Sequence, residues 1–139
     1  YTWAYGKGNT VMAPDWKMNM GYISWETKRL VLTASYFKGL GDFRGRAVDS
    51  LGNSVDQDGY SAYGELRFPR FNLGLIARYD YFKRHEVNGD MYSRRYIAGI
   101  SYRFYKQSKV LITFDRNEGP SFLAYKKTDV IKYIIEVRF

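Results

Sequence analysis

The chain has 139 residues, of which 19% are aromatic and 26% charged, with a net charge of +8 and a mean hydropathy of −0.46. This is the length of one domain, read here as a single unit over 1–139; the absence of cysteine excludes a disulfide framework and a cysteine-based zinc site. No apolar run approaches about eighteen residues, which excludes a transmembrane helix, and the basic residues are scattered, with pairs such as Lys28-Arg29, Arg94-Arg95 and Lys126-Lys127 as the longest runs, which argues against nucleic acid.

The opening stretch "YTWAY", Tyr1 to Tyr5, reads as a short strand, half a membrane crossing long. The first residue is not Met and no charged segment followed by an apolar run stands at the front, so the expectation is a processed product or a fragment. The next strand, 16–26, places Trp16, Met18, Met20 and Tyr22 on one face. Ser24 and Trp25 cannot both obey that parity, and a bulge is expected near them. Strand 30–38 places Leu30, Leu32, Ala34 and Tyr36 together.

A long polar loop is expected from Gly39 to Gly59. Its carboxylates, Asp42, Asp49, Asp56 and Asp58, lack the spacing of a calcium loop and read as solvated charges. Strand 60–68 alternates Tyr60, Ala62, Gly64, Leu66 and Phe68 with Ser61, Tyr63, Glu65 and Arg67. A four-residue connection, Pro69 to Asn72, then pairs Phe68 with Leu73, Leu66 with Leu75, Gly64 with Ala77, Ala62 with Tyr79 and Tyr60 with Tyr81. The strand 73–82 is followed by a loop, Lys83 to Ser93, holding the sole histidine, His85. Alone in "KRHEVNGD", it reads as a solvated loop residue. No partner motif for catalysis is present, so the chain is not expected to be an enzyme, and no cofactor or metal is expected.

Strand 95–104 places Tyr96, Ala98, Ile100, Tyr102 and Phe104 on one face; strand 109–116 places Val110, Ile112 and Phe114 there. The expected register pairs Phe104 with Val110, Tyr102 with Ile112 and Ile100 with Phe114. The final segment, "DVIKYIIEVRF", alternates Ile131, Tyr133, Ile135, Val137 and Phe139 with Lys132, Ile134, Glu136 and Arg138. Short and long joints alternate along the chain, so tight turns fall at one end of the sheet and large loops at the other.

These features predict an all-β, antiparallel up-and-down transmembrane β-barrel, with seven to eight strands in this chain, as part of a larger barrel. In lipid a closed antiparallel sheet satisfies its own backbone groups. Rings gather where membrane meets water: Trp25, Phe68, Phe71, Phe104, Tyr105 and Phe139 toward the short turns, and Tyr36, Tyr60, Tyr79, Tyr81 and Tyr96 toward the long loops. Alternation alone does not say which face is outside, and a soluble lipocalin-type barrel would invert the assignment.

The tail "YIIEVRF" resembles the C-terminal signature of Gram-negative outer-membrane β-barrel proteins: a terminal Phe with apolar residues at alternate positions upstream. In that family the signature is read by the barrel-assembly machinery, and Tyr133, Ile135, Val137 and Phe139 match it. Ile134, apolar on the polar face, departs from it. The tail and "RRYIAGISYRF" most resemble porins, and "LGLIARYDYF" is similar to late strands of phosphate-selective-type porins. The resemblance implies the cell outer membrane, contact with its lipid and lipopolysaccharide, and a homotrimer. It implies a passive diffusion channel for small hydrophilic solutes. With apolar side chains outward, Lys17, Arg67, Arg78, Arg95, Arg103, Lys109, Lys132 and Arg138 face inward against Glu65, Asp80, Asp115 and Glu136, which biases the lumen toward anions. Lys17, Arg67, Arg78, Arg95, Arg103 and Lys132 are the pore-lining candidates. The alternative is a complete eight-stranded small barrel with a structural or adhesive role through its long loops.

Overall fold

The computed structural model of the chain describes residues 1–7, 14–42, 47–86, 89–105, 108–120 and 125–137. Eight strands follow in chain order: β1 (Thr2–Gly6), β2 (Trp16–Glu26), β3 (Leu30–Leu40), β4 (Asp56–Phe68), β5 (Leu73–Arg84), β6 (Met91–Tyr105), β7 (Ser108–Pro120) and β8 (Tyr125–Glu136). Each pairs antiparallel with the next, in one sheet ordered β1 to β8. The chain is therefore all-β. The sheet is open, since β1 and β8 are its two edges and do not pair with each other. Five-residue β1 covers only Trp16 to Met20 of β2, so among the described residues Gly21 to Glu26 pairs with β3 on one side and has no strand on the other.

The strands run further than the alternation predicts. Both ends of the expected 39–59 loop are strand, because β3 continues to Leu40 and β4 begins at Asp56, with Lys38 opposite Asp58. What remains folds on itself. Val48 bridges Ser54, and Asp49 Oδ1 accepts from the backbone N–H groups of Leu51 and Asn53 at 2.9 and 2.8 Å. Gly52, at φ +82°, supplies the left-handed residue of this turn. Among the described residues, the buried hydrophobic side chains are Ala47 and Val55 at the base of this small hairpin. Among the described residues no apolar core lies between layers of sheet.

The tight connection after β4 is a 3-10 turn, Pro69–Phe71, closed by Asn72 in the left-handed conformation at φ 54°, which Asn tolerates better than most side chains. The β4–β5 register is the one read from sequence, from Phe68–Leu73 through Tyr60–Tyr81. The β6–β7 register differs from its expectation by two residues: Tyr102 faces Val110, Ile100 faces Ile112 and Ala98 faces Phe114. The cause is an irregularity between Arg103 and Tyr105, after which Tyr105 pairs with Ser108. A two-residue slip leaves side chains on their faces, so the facial assignment of both strands holds.

β2 changes face. Its register with β3 is unbroken and sets Trp25 opposite Leu32 and Ile23 opposite Ala34. Trp16, Met18, Met20 and Tyr22 therefore share a face with Phe37, Ser61 and Arg78, not with Leu32 and Ile100. No bulge occurs near Trp25.

One face is consistently apolar across mid-strand. Ile131, Tyr133 and Ile135 are 60%, 73% and 69% exposed, and Leu32, Leu66, Leu75, Ile100 and Ile112 are also exposed. On the opposite face Asp115 is only 6% exposed, and Thr113 is also buried. A flat single sheet would expose both faces alike, so the sheet curls with its polar face inside. Toward the long loops the apolar face ends in a run of touching tyrosines. Tyr60 lies 5.2 Å from Tyr81 and 5.8 Å from Tyr79, and Tyr79 lies 5.0 Å from Tyr96, between ring centroids. Beyond these rings the same face turns ionic: Lys38, Asp58 and Lys83 stand in register, as do Arg94, Glu118 and Lys127.

No helix among the described residues is long and apolar enough to cross a membrane; this has no bearing on crossing by strands.

Candidate functional site on the polar face

Among the described residues the inner face of β2 to β8 carries three ion-pair clusters, each assembled across strands. The tightest centres on Asp115 of β7. Arg95 of β6 donates to both its carboxylate oxygens, Nε at 2.9 Å and Nη2 at 2.7 Å, and Lys132 of β8 donates from the other side at 2.5 Å. Two-point binding of a carboxylate by the planar guanidinium fixes orientation as well as distance. In the second cluster Arg78 donates to Asp80 at 2.8 Å, and the Ser61 hydroxyl of β4 donates to the same oxygen.

The third lies toward the tight turns. Arg67 Nη1 donates to Glu26 at 2.8 Å, Arg67 Nε donates to Glu65 at 3.1 Å, and the Tyr63 hydroxyl donates to Glu65 at 3.3 Å. Glu26 is at the end of β2, two strands from Arg67, and the sequence gives no sign of the contact. It becomes visible only when both intervening registers are known: Glu26 faces Val31, and Val31 faces Glu65.

Of the sequence-predicted pore-lining residues, Arg67, Arg78, Arg95, Arg103 and Lys132 all occupy this face. Lys17 does not. It faces Tyr5 and Leu40, in the parity of Trp25 and Leu32, because β2 is turned relative to the expectation. Lys109, also expected inward, is on the polar face opposite Arg103, with Glu136 at 3.3 Å. Arg138 and Phe139 lie outside the described residues. Tyr133, Ile135 and Val137, the described part of the tail signature, are all exposed.

The loop end holds a group that sequence reading treated as solvated. His85 Nε2 is 3.0 Å from Asp58 and its Nδ1 is 3.0 Å from Asp90, while Lys83 Nζ is 2.6 Å from the other Asp90 oxygen. The Lys83 ammonium holds the Asp90 carboxyl below the usual carboxylate range. In the folded loop, the Asn53 backbone N–H does the same for Asp49, and burial opposes it. Among the described residues no group of His, Asp and Glu is arranged to hold a metal ion.

The site is thus a charged, hydrogen-bonded face lined with side chains that water can reach, backed by an apolar face. Its guanidinium, ammonium and carboxylate groups can attract and orient small ions by charge and hydrogen bonding. Comparison with known proteins returns no matching family model, no matching curated relative and no matching solved structure.

Proposed function

We propose that this chain forms wall strands of an outer-membrane β-barrel porin, a passive channel for small hydrophilic solutes with a preference for anions. One observation carries the reading: the inner, less exposed face is ionic, and the more exposed outer face is apolar. A soluble barrel has the reverse order. Exposed patches beyond a few hundred Å² are rare on soluble monomers, whereas hydrocarbon is the natural neighbour of such a face.

Further features support it. β2 to β8 have 11 to 15 residues, against about 9–11 for a tilted crossing. The touching tyrosines fall where an interfacial belt belongs. The ionic fringe beyond them suits lipid headgroups and lipopolysaccharide. The exposed Tyr133, Ile135 and Val137 suit recognition by the assembly machinery. An open sheet needs further strands to close it, and a homotrimer of closed barrels fits the porin reading.

The anion preference comes from Arg67, Arg78, Arg95, Arg103, Lys109 and Lys132, six cations against the five acids Glu26, Glu65, Asp80, Asp115 and Glu136 on the same face. Reconstitution of the full-length protein in a planar bilayer tests the proposal. Ohmic conductance with an anion-selective reversal potential is expected; absence of any conductance contradicts it. A second reading, a structural or adhesive role carried by loops, is favoured by the self-folded hairpin at 47–55.

A further inference from the structure

Two neighbouring tight turns bring two guanidinium groups to one place. In the β2–β3 turn the Thr27 hydroxyl accepts from the backbone N–H groups of Arg29 and Leu30 at 3.3 and 3.0 Å, which fixes the turn around Arg29. The Arg67 backbone N–H donates to Arg29 O at 2.7 Å and sets that turn against the end of β4. Arg70 follows in the 3-10 turn that Asn72 closes. Arg29 and Arg70 line one cavity of about 500 Å³ with Leu66, Phe68, Pro69 and Phe71. Among the described residues neither guanidinium has an ion-pair or hydrogen-bond partner.

Arg67 also lines this cavity, but its guanidinium is held by Glu26 and Glu65. Those acids border the neighbouring polar-face cavity and not this one. Arg67 and its two acids together leave one surplus negative charge. Arg29, Arg70 and Lys28, the third cation of these turns, outweigh it.

The cavity continues onto the apolar face. It shares Leu66 with a shallow groove of about 230 Å³ walled by Leu30 and Leu75. That groove shares Gly64 and Ala77 with another of about 530 Å³, which reaches Ala62 and Phe114. From Leu66 to Ala62 the trough follows four residues of β4, about 13 Å. Gly64 lowers its floor, because a Cβ there would meet only Leu32, at 3.5 Å, an ordinary contact. A hydrophilic solute gains nothing from an apolar trough, and a bare hydrocarbon chain gains nothing from the guanidinium groups. A lipid with a negatively charged headgroup uses both.

We propose that this site binds one anionic phospholipid, its phosphate held at Arg29 and Arg70 and one acyl chain lying along Leu66 and Gly64. A guanidinium offers phosphate two parallel N–H donors, so either arginine can hold it alone and no fixed span between the two is needed. The second arginine adds attraction through its charge. The proposal rests on the reading that the apolar face meets lipid. The tight turns of such barrels are periplasmic, so the lipid comes from the leaflet on that side.

The test is native mass spectrometry of the full-length protein released from detergent micelles, titrated with phosphatidylglycerol and, separately, with phosphatidylcholine of the same acyl chains. Retention of one phosphatidylglycerol per chain is expected, with phosphatidylcholine weaker by about five-fold or more, the scale of one cation at an anionic surface. Arg29→Gln and Arg70→Gln each weaken phosphatidylglycerol about five-fold, and together they bring it to the phosphatidylcholine level. Gly64→Leu, which fills the trough, weakens both lipids alike. Lys126→Gln, the same loss of charge at the long-loop end, changes neither by as much as two-fold. Both arginines are exposed turn residues, so the fold is retained, as circular dichroism will check. Phosphatidylcholine retained as tightly as phosphatidylglycerol overturns the proposal, as does an unchanged double variant or equal weakening by Lys126→Gln. Displacement of the lipid by equimolar inorganic phosphate also overturns it, because that marks a site for free anions. Conductance of the same preparation separates the two readings. A protein that conducts but shows no preference for phosphatidylglycerol refutes the site alone; one that keeps the preference but does not conduct refutes the channel alone.

Discussion

Arg95 of β6 grips Asp115 of β7 through two nitrogens, at 2.9 and 2.7 Å, and the carboxylate they share with Lys132 is among the least exposed polar groups described. Removing the carboxylate leaves two cations facing each other. Asp115→Asn is expected to lower unfolding stability by about 1.5–3 kcal/mol, the scale of hydrogen bonds to charged groups, in urea titration of the micelle-bound protein. It should also move the reversal potential further toward anions. An Arg95→Gln/Asp115→Asn double variant should lose less than the sum of the two single losses, because the partners share one contact.

Ile100 sits mid-strand on the exposed apolar face, between Leu75 and Ile112. In lipid, Ile100→Arg costs about 2–4 kcal/mol near the bilayer midplane. On a water-exposed surface the same change is worth within about 0.5 kcal/mol. Equilibrium refolding into vesicles reads the difference, and the larger loss is expected.

Lys83 sits 2.6 Å from Asp90 and depresses its carboxyl below the ordinary value. A depressed carboxyl contributes stability that is present above the unfolded value, about 3.9, and is lost as pH falls through the folded one. The Lys83–Asp90 contact should therefore persist from neutral pH into the mildly acid range and open only at lower pH. Carboxyl-carbon NMR titration of Asp90 should give a midpoint below that of free Asp, and Lys83→Met should raise it.

Tyr102 faces Val110, not Ile112. The chain has no cysteine, so introduced pairs report cleanly. Tyr102→Cys with Val110→Cys is expected to crosslink readily, and Tyr102→Cys with Ile112→Cys poorly, because a disulfide demands Cα atoms within about 7 Å. The mass of digested fragments decides between them.

Period two was enough to read the β4–β5 hairpin residue by residue, because an apolar row there meets an apolar row and Pro69 to Asn72 fixes the turn. It was not enough for β6–β7, where the slip depends on how Arg103 to Tyr105 departs from regular pairing, a local backbone event that leaves the hydropathy pattern unchanged. β2 failed for a different reason. Both its faces carry apolar side chains, Met18, Met20 and Tyr22 on one and Ile23 and Trp25 on the other, so hydropathy does not choose between them and the pairing with β3 does. Most charged residues of the site were legible from parity, but Lys17 falls on the other face and Glu26 was not read as inward. The partners were not legible: Glu26 with Arg67, and Asp58 and Asp90 with His85, are joined by cross-strand registers and loop closure, not by spacing in sequence.

The central claim is that the exposed apolar face meets lipid while the ionic face meets water. Spin labels placed singly from Val130 to Glu136 on β8, in the full-length protein reconstituted into vesicles, test it most directly by collision with oxygen and with a water-soluble nickel complex. The account predicts oxygen maxima at Ile131, Tyr133 and Ile135 and nickel maxima at Lys132, Ile134 and Glu136. Oxygen maxima at the even positions, or nickel access at every position, would contradict it.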